Sequence, residues 1–511
     1  NGNLTVQTLE LIGSVTSLPN LPFNFDLLVS APFDQDDVGF GPTVNGDVTL
    51  AHTFNVGNYT FTVNGDLAVQ GTSGRLQMLD NDGGVDVNGN ATFDGASSSG
   101  LMNQGTLAVS GDFTALNTHS PTSFVGALNH TVQLDGAFGQ TVSFAQPGRA
   151  AQRFQNLTVT NTSGAGVTAG TMVVQGFLND LSVSGIDATG QTVQVGNGLS
   201  EPHQLTAGTL MLFGTVPSLP AALTFTDVWI DAAVNLDVVG GLTVNGNLTL
   251  TNVLTVGANN LVVTGDLTVR SDVLAANGAL AMNDSDGNTT VGGDALFDGG
   301  SHATRLTEGG LSVAGDFTAA ETNSTESFVS TGTTVTLNGT GTQSVDLSSP
   351  GTQTFSTLRI TNTTAPITLL SDVEVTTEFE AGAGTEVESA SNVAVTVRGS
   401  GFVDVDGLTM DNVRMRVEST GLMTLHQFDN VTFTNMSSSA TQLYLRLAGP
   451  GVGTLFMFGV AFDPLTGGDT GLYVDAGASN LTAWALGLPT DPGNGASFQS
   501  VSNGVSIFWG P

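Results

Sequence analysis

The sequence predicts an all-β protein, a parallel β-solenoid (β-helix), on three observations. One long block of the chain recurs in tandem. Inside each copy, three-residue apolar–polar–apolar strings return every six or seven residues. Glycine and Asx residues separate those strings at regular intervals.

The long repeat is read directly from matching strings. Leu4-Thr5-Val6 through Leu18-Pro19 returns as Leu205-Thr206-Ala207 through Leu219-Pro220. Thr43-Val44-Asn45-Gly46-Asp47 returns as Thr243-Val244-Asn245-Gly246-Asn247, and Gly111-Asp112-Phe113-Thr114 as Gly315-Asp316-Phe317-Thr318. The chain therefore divides into a first solenoid copy over 1–204, a second over 205–405, and a divergent β-rich solenoid or cap region over 406–511.

The short repeat sets the architecture. Leu242-Thr243-Val244, Leu248-Thr249-Leu250, Leu254-Thr255-Val256, Leu261-Val262-Val263 and Leu267-Thr268-Val269 each alternate as a half-buried strand does. Turn-forming residues lie between them. Three strands and three corners describe one coil of a three-sided solenoid, with coils of about 19–25 residues and about 25 coils in all. Strands this short are stable only when coil stacks on coil. Val44, Val63, Val244 and Val263 are expected to point inward, and most of the 28 Phe to fill the core. The rival arrangement, tandem β-sandwiches, calls for longer strands and wider turn spacing.

Composition narrows the function classes. The chain has 511 residues, 45 acidic and 10 basic side chains, no Cys, and a net charge of -35. All the basic residues are Arg. Such a chain does not hold nucleic acid by charge. Without Cys it has no disulfide framework and no thiolate chemistry. No apolar run has the length of a membrane span. The start at Asn1 is that expected of a processed or partial chain.

The motifs of chemistry are sparse. The absence of Lys removes the P-loop and the Arg-x-Lys of polygalacturonase-like β-helices. Asp36-Asp37 is the one adjacent Asp pair, with no His beside it in sequence. His52, His119, His130, His203, His302 and His426 are scattered without zinc-ligand spacing, and are expected at the surface or core edge. Asp80-Asn81-Asp82-Gly83 matches Asp284-Ser285-Asp286-Gly287. Alternating Asp at a Gly turn suits a hard cation, so Asp80, Asp82, Asp284 and Asp286 are the candidate calcium ligands. The same pattern also makes a plain Asx turn.

A second acidic feature is a column. The ladder glycines are followed by Asp47, Asp66, Asn90 and Asp112, and in the second copy by Asn247, Asp266, Asp294 and Asp316. Each is expected to cap its own turn through backbone N–H groups. Asn156, Asn247, Asn430 and Asn480 start Asn-x-Ser/Thr strings, which matter only in a host that glycosylates them.

Phe154-Gln155-Asn156-Leu157-Thr158-Val159-Thr160-Asn161 and Phe428-Asp429-Asn430-Val431-Thr432-Phe433-Thr434-Asn435 repeat one pattern. With the Leu-Thr-Val-x-Gly-Asp-Leu-Thr strands, they resemble large secreted β-solenoid surface proteins of bacteria: adhesins, autotransporter passengers and fibre-forming repeat proteins. The resemblance is one of repeat style along nearly the whole chain. It implies an extracellular or cell-surface β-solenoid. With no catalytic motif in the sequence, the expectation is a structural protein that is not an enzyme, requires no cofactor, and associates with itself head to tail in a fibre. The alternative it leaves is a monomeric adhesin or stalk that binds a cell-surface glycan or protein. A glycan-degrading β-helix enzyme is the remoter alternative. Strand-like Leu4-Thr5-Val6 and Val505-Ser506-Ile507-Phe508-Trp509 are the sheet edges on which the self-assembly expectation rests.

Overall fold

Alternating strings separated by Gly and Asx corners can satisfy their backbone groups only by pairing with the next coil, and that is what they do. The computed structural model describes residues 7–13, 22–161, 167–181, 185–200, 205–216, 222–223, 225–271, 278–420, 426–436, 441–447, 452–462, 470–475, 480–486, 499–501 and 505–510. Leu4-Thr5-Val6, Leu18-Pro19, Leu219-Pro220 and His203 lie outside them. The described residues form two compact units, Asn1–Pro220 with Thr224–Ala232, and Ala221–Leu223 with Ala233–Pro511. Both are parallel β-solenoids.

In the first unit one face stacks Thr43–Val44, Thr60–Val63, Gly84–Val87, Thr106–Val109, Thr131–Leu134 and Asn156–Val159 in parallel register. A second face stacks Asp26–Val29, Val48–Leu50, Leu67–Gln70, Ala91–Asp94, Phe113–Ala115 and Gln140–Phe144. The third begins with Phe33–Asp34, Thr53–Asn55 and Arg75–Gln77. It then thins to single bridges from Met78 to Met102 to Gly126.

The second unit repeats the plan. Leu242–Val244, Asn260–Val263, Asn288–Val291, Gly310–Val313 and Thr334–Leu337 form one face. Asn247–Leu250, Leu267–Arg270, Ala295–Asp298 and Phe317–Ala319 form another. Val253–Thr255 pairs with Ala279–Ala281 on the third, again followed by bridges from Met282 to Leu306 to Ser330. The described residues form about 18 coils, where an even short period implies about 25. The reason is visible in the corners. Equivalent residues of the first unit lie 19, 24, 22 and 29 positions apart, because long loops leave the later corners while the ladder keeps register.

The core is one apolar column per unit. Val44, Val63 and Val244 are inaccessible to solvent, and Val263 is buried with them. Phe93, Phe113, Phe124 and Phe154 interlock with ring centroids 4.7–5.8 Å apart. Phe297, Phe317, Phe328 and Phe355 form the matching cluster. Long aromatic side chains fill a core that three short strands per coil would otherwise leave hollow.

Two matching Gln pairs staple the longer coils. Gln140 takes the Gly136 N–H at 3.0 Å and gives its amide hydrogens to the Val109 and Gly111 carbonyls at 2.9 and 2.7 Å. Gln343 does the same with Gly339, Val313 and Gly315. Gln152 and Gln353 close the next loop in the same manner. A buried amide is tolerated there because backbone groups exposed by the loop satisfy it.

Candidate functional site

The Gly–Asp corner is the most regular polar feature of the molecule. Gly65, Gly89 and Gly111 each donate their N–H to the carbonyl of the equivalent Gly one coil earlier, at 3.2, 3.1 and 2.9 Å. Gly265, Gly293 and Gly315 do likewise. A Cβ on Gly65 would lie 2.7 Å from the Gly46 carbonyl oxygen and 2.8 Å from its carbon. Only glycine allows coils to approach so closely at this corner.

The carboxylates do not cap their own turns. Asp47 Oδ1 accepts the N–H of Asp66 at 2.8 Å, Asp66 Oδ1 that of Asn90 at 2.7 Å, and Asn90 Oδ1 that of Asp112 at 2.8 Å. Asp112 then receives Thr141 at 2.7 Å. In the second unit Asn247, Asp266, Asp294 and Asp316 receive Asp266, Asp294, Asp316 and Ser344. Contrary to the expectation from sequence, the acceptor reaches up one coil. The cause is geometric, since the corner N–H points along the stacking direction, where the preceding coil's side chain stands. One oxygen of every carboxylate is thereby neutralised by a backbone dipole.

Beside this column the first unit carries an Asn ladder. Asn45, Asn64 and Asn88 each donate an amide hydrogen to the Asn one coil earlier, at 2.5, 2.5 and 2.6 Å. The matching positions of the second unit, Asn245, Thr264 and Gly292, break the pattern.

The candidate calcium loops are Asx turns. Asp80 Oδ1 accepts the Asp82 N–H at 3.0 Å, and Asp284 Oδ1 accepts that of Asp286 at 3.0 Å. Gly83 and Gly287 close each turn on the Asp80 and Asp284 carbonyls. The structure keeps each pair in its own exposed loop tip. Among the described residues no three acidic or imidazole groups cluster within reach of one metal ion. Asp36, of the adjacent Asp pair, is engaged in another corner, where its Oδ1 accepts the Asn58 N–H at 3.3 Å.

Three of the histidines are buried, contrary to the surface or core-edge expectation. The loops fold His130, His302 and His426 against Phe124, Phe297 and Phe428. Burial pushes His130 down to about 3, and His302 and His426 down to about 4. His302 Nε2 accepts the Leu280 N–H at 3.1 Å, and His426 Nδ1 that of Val403 at 3.1 Å. Neutral imidazole is thus a structural acceptor in both. Neither ring nitrogen of His130 meets a partner. Among the described residues the nearest thing to a His–carboxylate pair is at the surface: His119 Nδ1 lies 3.6 Å from Asp94 Oδ2.

Larger concavities are open and polar. One, of about 500 Å³, is lined by residues including Glu308, Thr336 and Arg359; another, of about 350 Å³, by residues including Asp34, Asp37 and Gln77. No described helix is long and apolar enough to cross a membrane.

These features define a class: a tandem-repeat β-solenoid, its coils joined by backbone ladders and side-chain columns. Comparison with protein-family models, with curated proteins and with solved structures finds no match.

Proposed function

We propose that the chain is an extracellular structural protein, a self-assembling subunit of a surface fibre with head-to-tail contacts. The observation that carries this reading is the translational identity of the Gly–Asp corner. Through four successive coils of each unit, a coil offers the next the same Gly carbonyl and Asp or Asn side-chain oxygen that it takes from the one before. A stack built this way has no intrinsic stopping point, and a terminal coil is a template for another chain. Such contacts are heterologous and generate open filaments unless the rotation closes. The net charge of -35 acts in the same direction, since over most of the surface it repels flank from flank and so favours contact at the coil ends.

The test is electron microscopy with light scattering of the purified chain over a range of concentration. Particles that lengthen by whole subunits support the reading. A single-chain particle at every concentration, with or without calcium, overturns it.

A further inference from the structure

We propose that the outer face of the C-terminal coils of the second unit is a self-complementary docking surface for a second copy of this chain, the copies lying antiparallel along the coil axis. The inference goes beyond end-to-end assembly and stands independently of it.

Arginine is concentrated late in the chain. Five of the chain's 10 Arg, namely Arg359, Arg398, Arg414, Arg416 and Arg446, fall in one late segment. Strand register then places three of them in two neighbouring columns. In the first, Arg398 stands beside Glu418, Glu418 beside Arg446, and Arg446 beside Asp475. The sign alternates at every coil. In the second, Thr396 is followed by Arg416, Tyr444 and Tyr473.

Side chains tie these columns into one surface. Arg398 reaches Glu374 at 3.0 Å and Glu418 at 3.4 Å, while Arg416 reaches Glu418 at 2.6 Å. The Arg416 guanidinium lies 4.9 Å from the Tyr444 ring centre. Tyr444 and Tyr473 stack 5.0 Å apart and nearly parallel. Arg398 and Arg446 are exposed, and Arg416, Glu418, Tyr444 and Tyr473 are partly so. Arg398, Arg416 and Arg446 offset the acidic groups around them. The repulsion that a net charge of -35 imposes elsewhere is absent from this patch.

The order of charges specifies the partner. Turning a second copy about an axis parallel to the strands keeps each column opposite itself and reverses the order of coils. Glu418 then meets Arg446, Arg416 meets the Tyr444 ring, and the register position of Asp475 falls opposite Arg398. Each juxtaposition is attractive, and the pairing is isologous, as a two-fold contact must be. A parallel arrangement that kept each column opposite itself would set Arg on Arg and Glu418 on Glu418, which electrostatic complementarity opposes.

Sedimentation velocity of the full chain and two variants tests this. Wild type should pair, and more weakly as salt rises. Glu418→Arg and Arg446→Glu, each alone, should weaken self-pairing about tenfold or more, because each sets like charges opposite one another. An equimolar mixture of the two variants should recover pairing, since the arginine introduced in one then faces the glutamate introduced in the other. That recovery also shows both variants to be folded. Wild-type pairing retained in both single variants, no recovery in the mixture, or a wild type without lateral pairing would each overturn the proposal.

Discussion

Asp47 Oδ1 holds the backbone N–H of Asp66 at 2.8 Å, one coil away. A side chain thus does in this corner what a strand carbonyl does on the faces. Asn occupies the same position at Asn90 and Asn247 and makes the same bond. Asp66→Asn should therefore leave stability within about 0.5 kcal/mol, whereas Asp66→Ala strands the Asn90 N–H and should cost about 1–2 kcal/mol. Denaturant unfolding of the two variants measures the difference.

The glycine ahead of that Asp gives a sharper contrast. Gly65→Ala drives a Cβ into the Gly46 backbone and should destabilise by more than about 3 kcal/mol. Gly71 has a positive φ of 80° but open space around it, so Gly71→Ala should cost only about 1–2 kcal/mol. Equal losses in thermal unfolding would refute close coil approach at the first corner.

Histidine burial makes stability depend on acid. The folded state holds His130, His302 and His426 neutral, their pKa depressed to about 3, 4 and 4. Below the ordinary value near 6.5, the unfolded chain takes up protons that the folded chain refuses. Their contribution is thus fully present above pH ~6.5 and is lost as pH falls toward ~4. His130 has no partner for either ring nitrogen. His130→Leu should raise stability at neutral pH by about 1–3 kcal/mol and flatten the loss between pH ~6.5 and ~4. Melting curves across that range read both effects.

Calcium provides a fourth measurement. Asp80 and Asp284 each spend one oxygen on an Asx turn, and the pairs remain apart. Calorimetric titration of wild type and of the Asp82→Asn, Asp286→Asn double variant should give the same heats. A binding isotherm lost in the variant would assign those loops as cation sites.

Much of this is legible in the residues. The in–out–in strings place Val44 and Val63 in the core because strand alternation is local and the strings are short. The Gly–Asp column is visible as a spacing, but its bonding is not, since sequence does not state which coil a carboxylate faces. The buried histidines carry no such mark, because no periodicity distinguishes a loop residue that folds inward. Gln140 and Gln152 carry a usable signal, their recurrence as Gln343 and Gln353, yet a polar residue beside a loop reads as solvent-facing until the backbone groups around it are known. The charged columns of the second unit depend on register across coils of unequal length, which only the fold supplies.

Every ladder and column of the molecule depends on parallel coils in one register, and a disulfide can read that register directly. The chain has no Cys, so introduced pairs report without interference. Thr62 stands beside Asp86 on the next coil, and Asp86 beside Ala108 on the one after. Neighbouring parallel strands lie about 4.8 Å apart, within disulfide reach, and alternate ones about twice that. On mild oxidation Thr62→Cys with Asp86→Cys should close a bond within one chain, and Thr62→Cys with Ala108→Cys should not. Bonding in the second pair, or failure in the first with the chain folded, would contradict the solenoid.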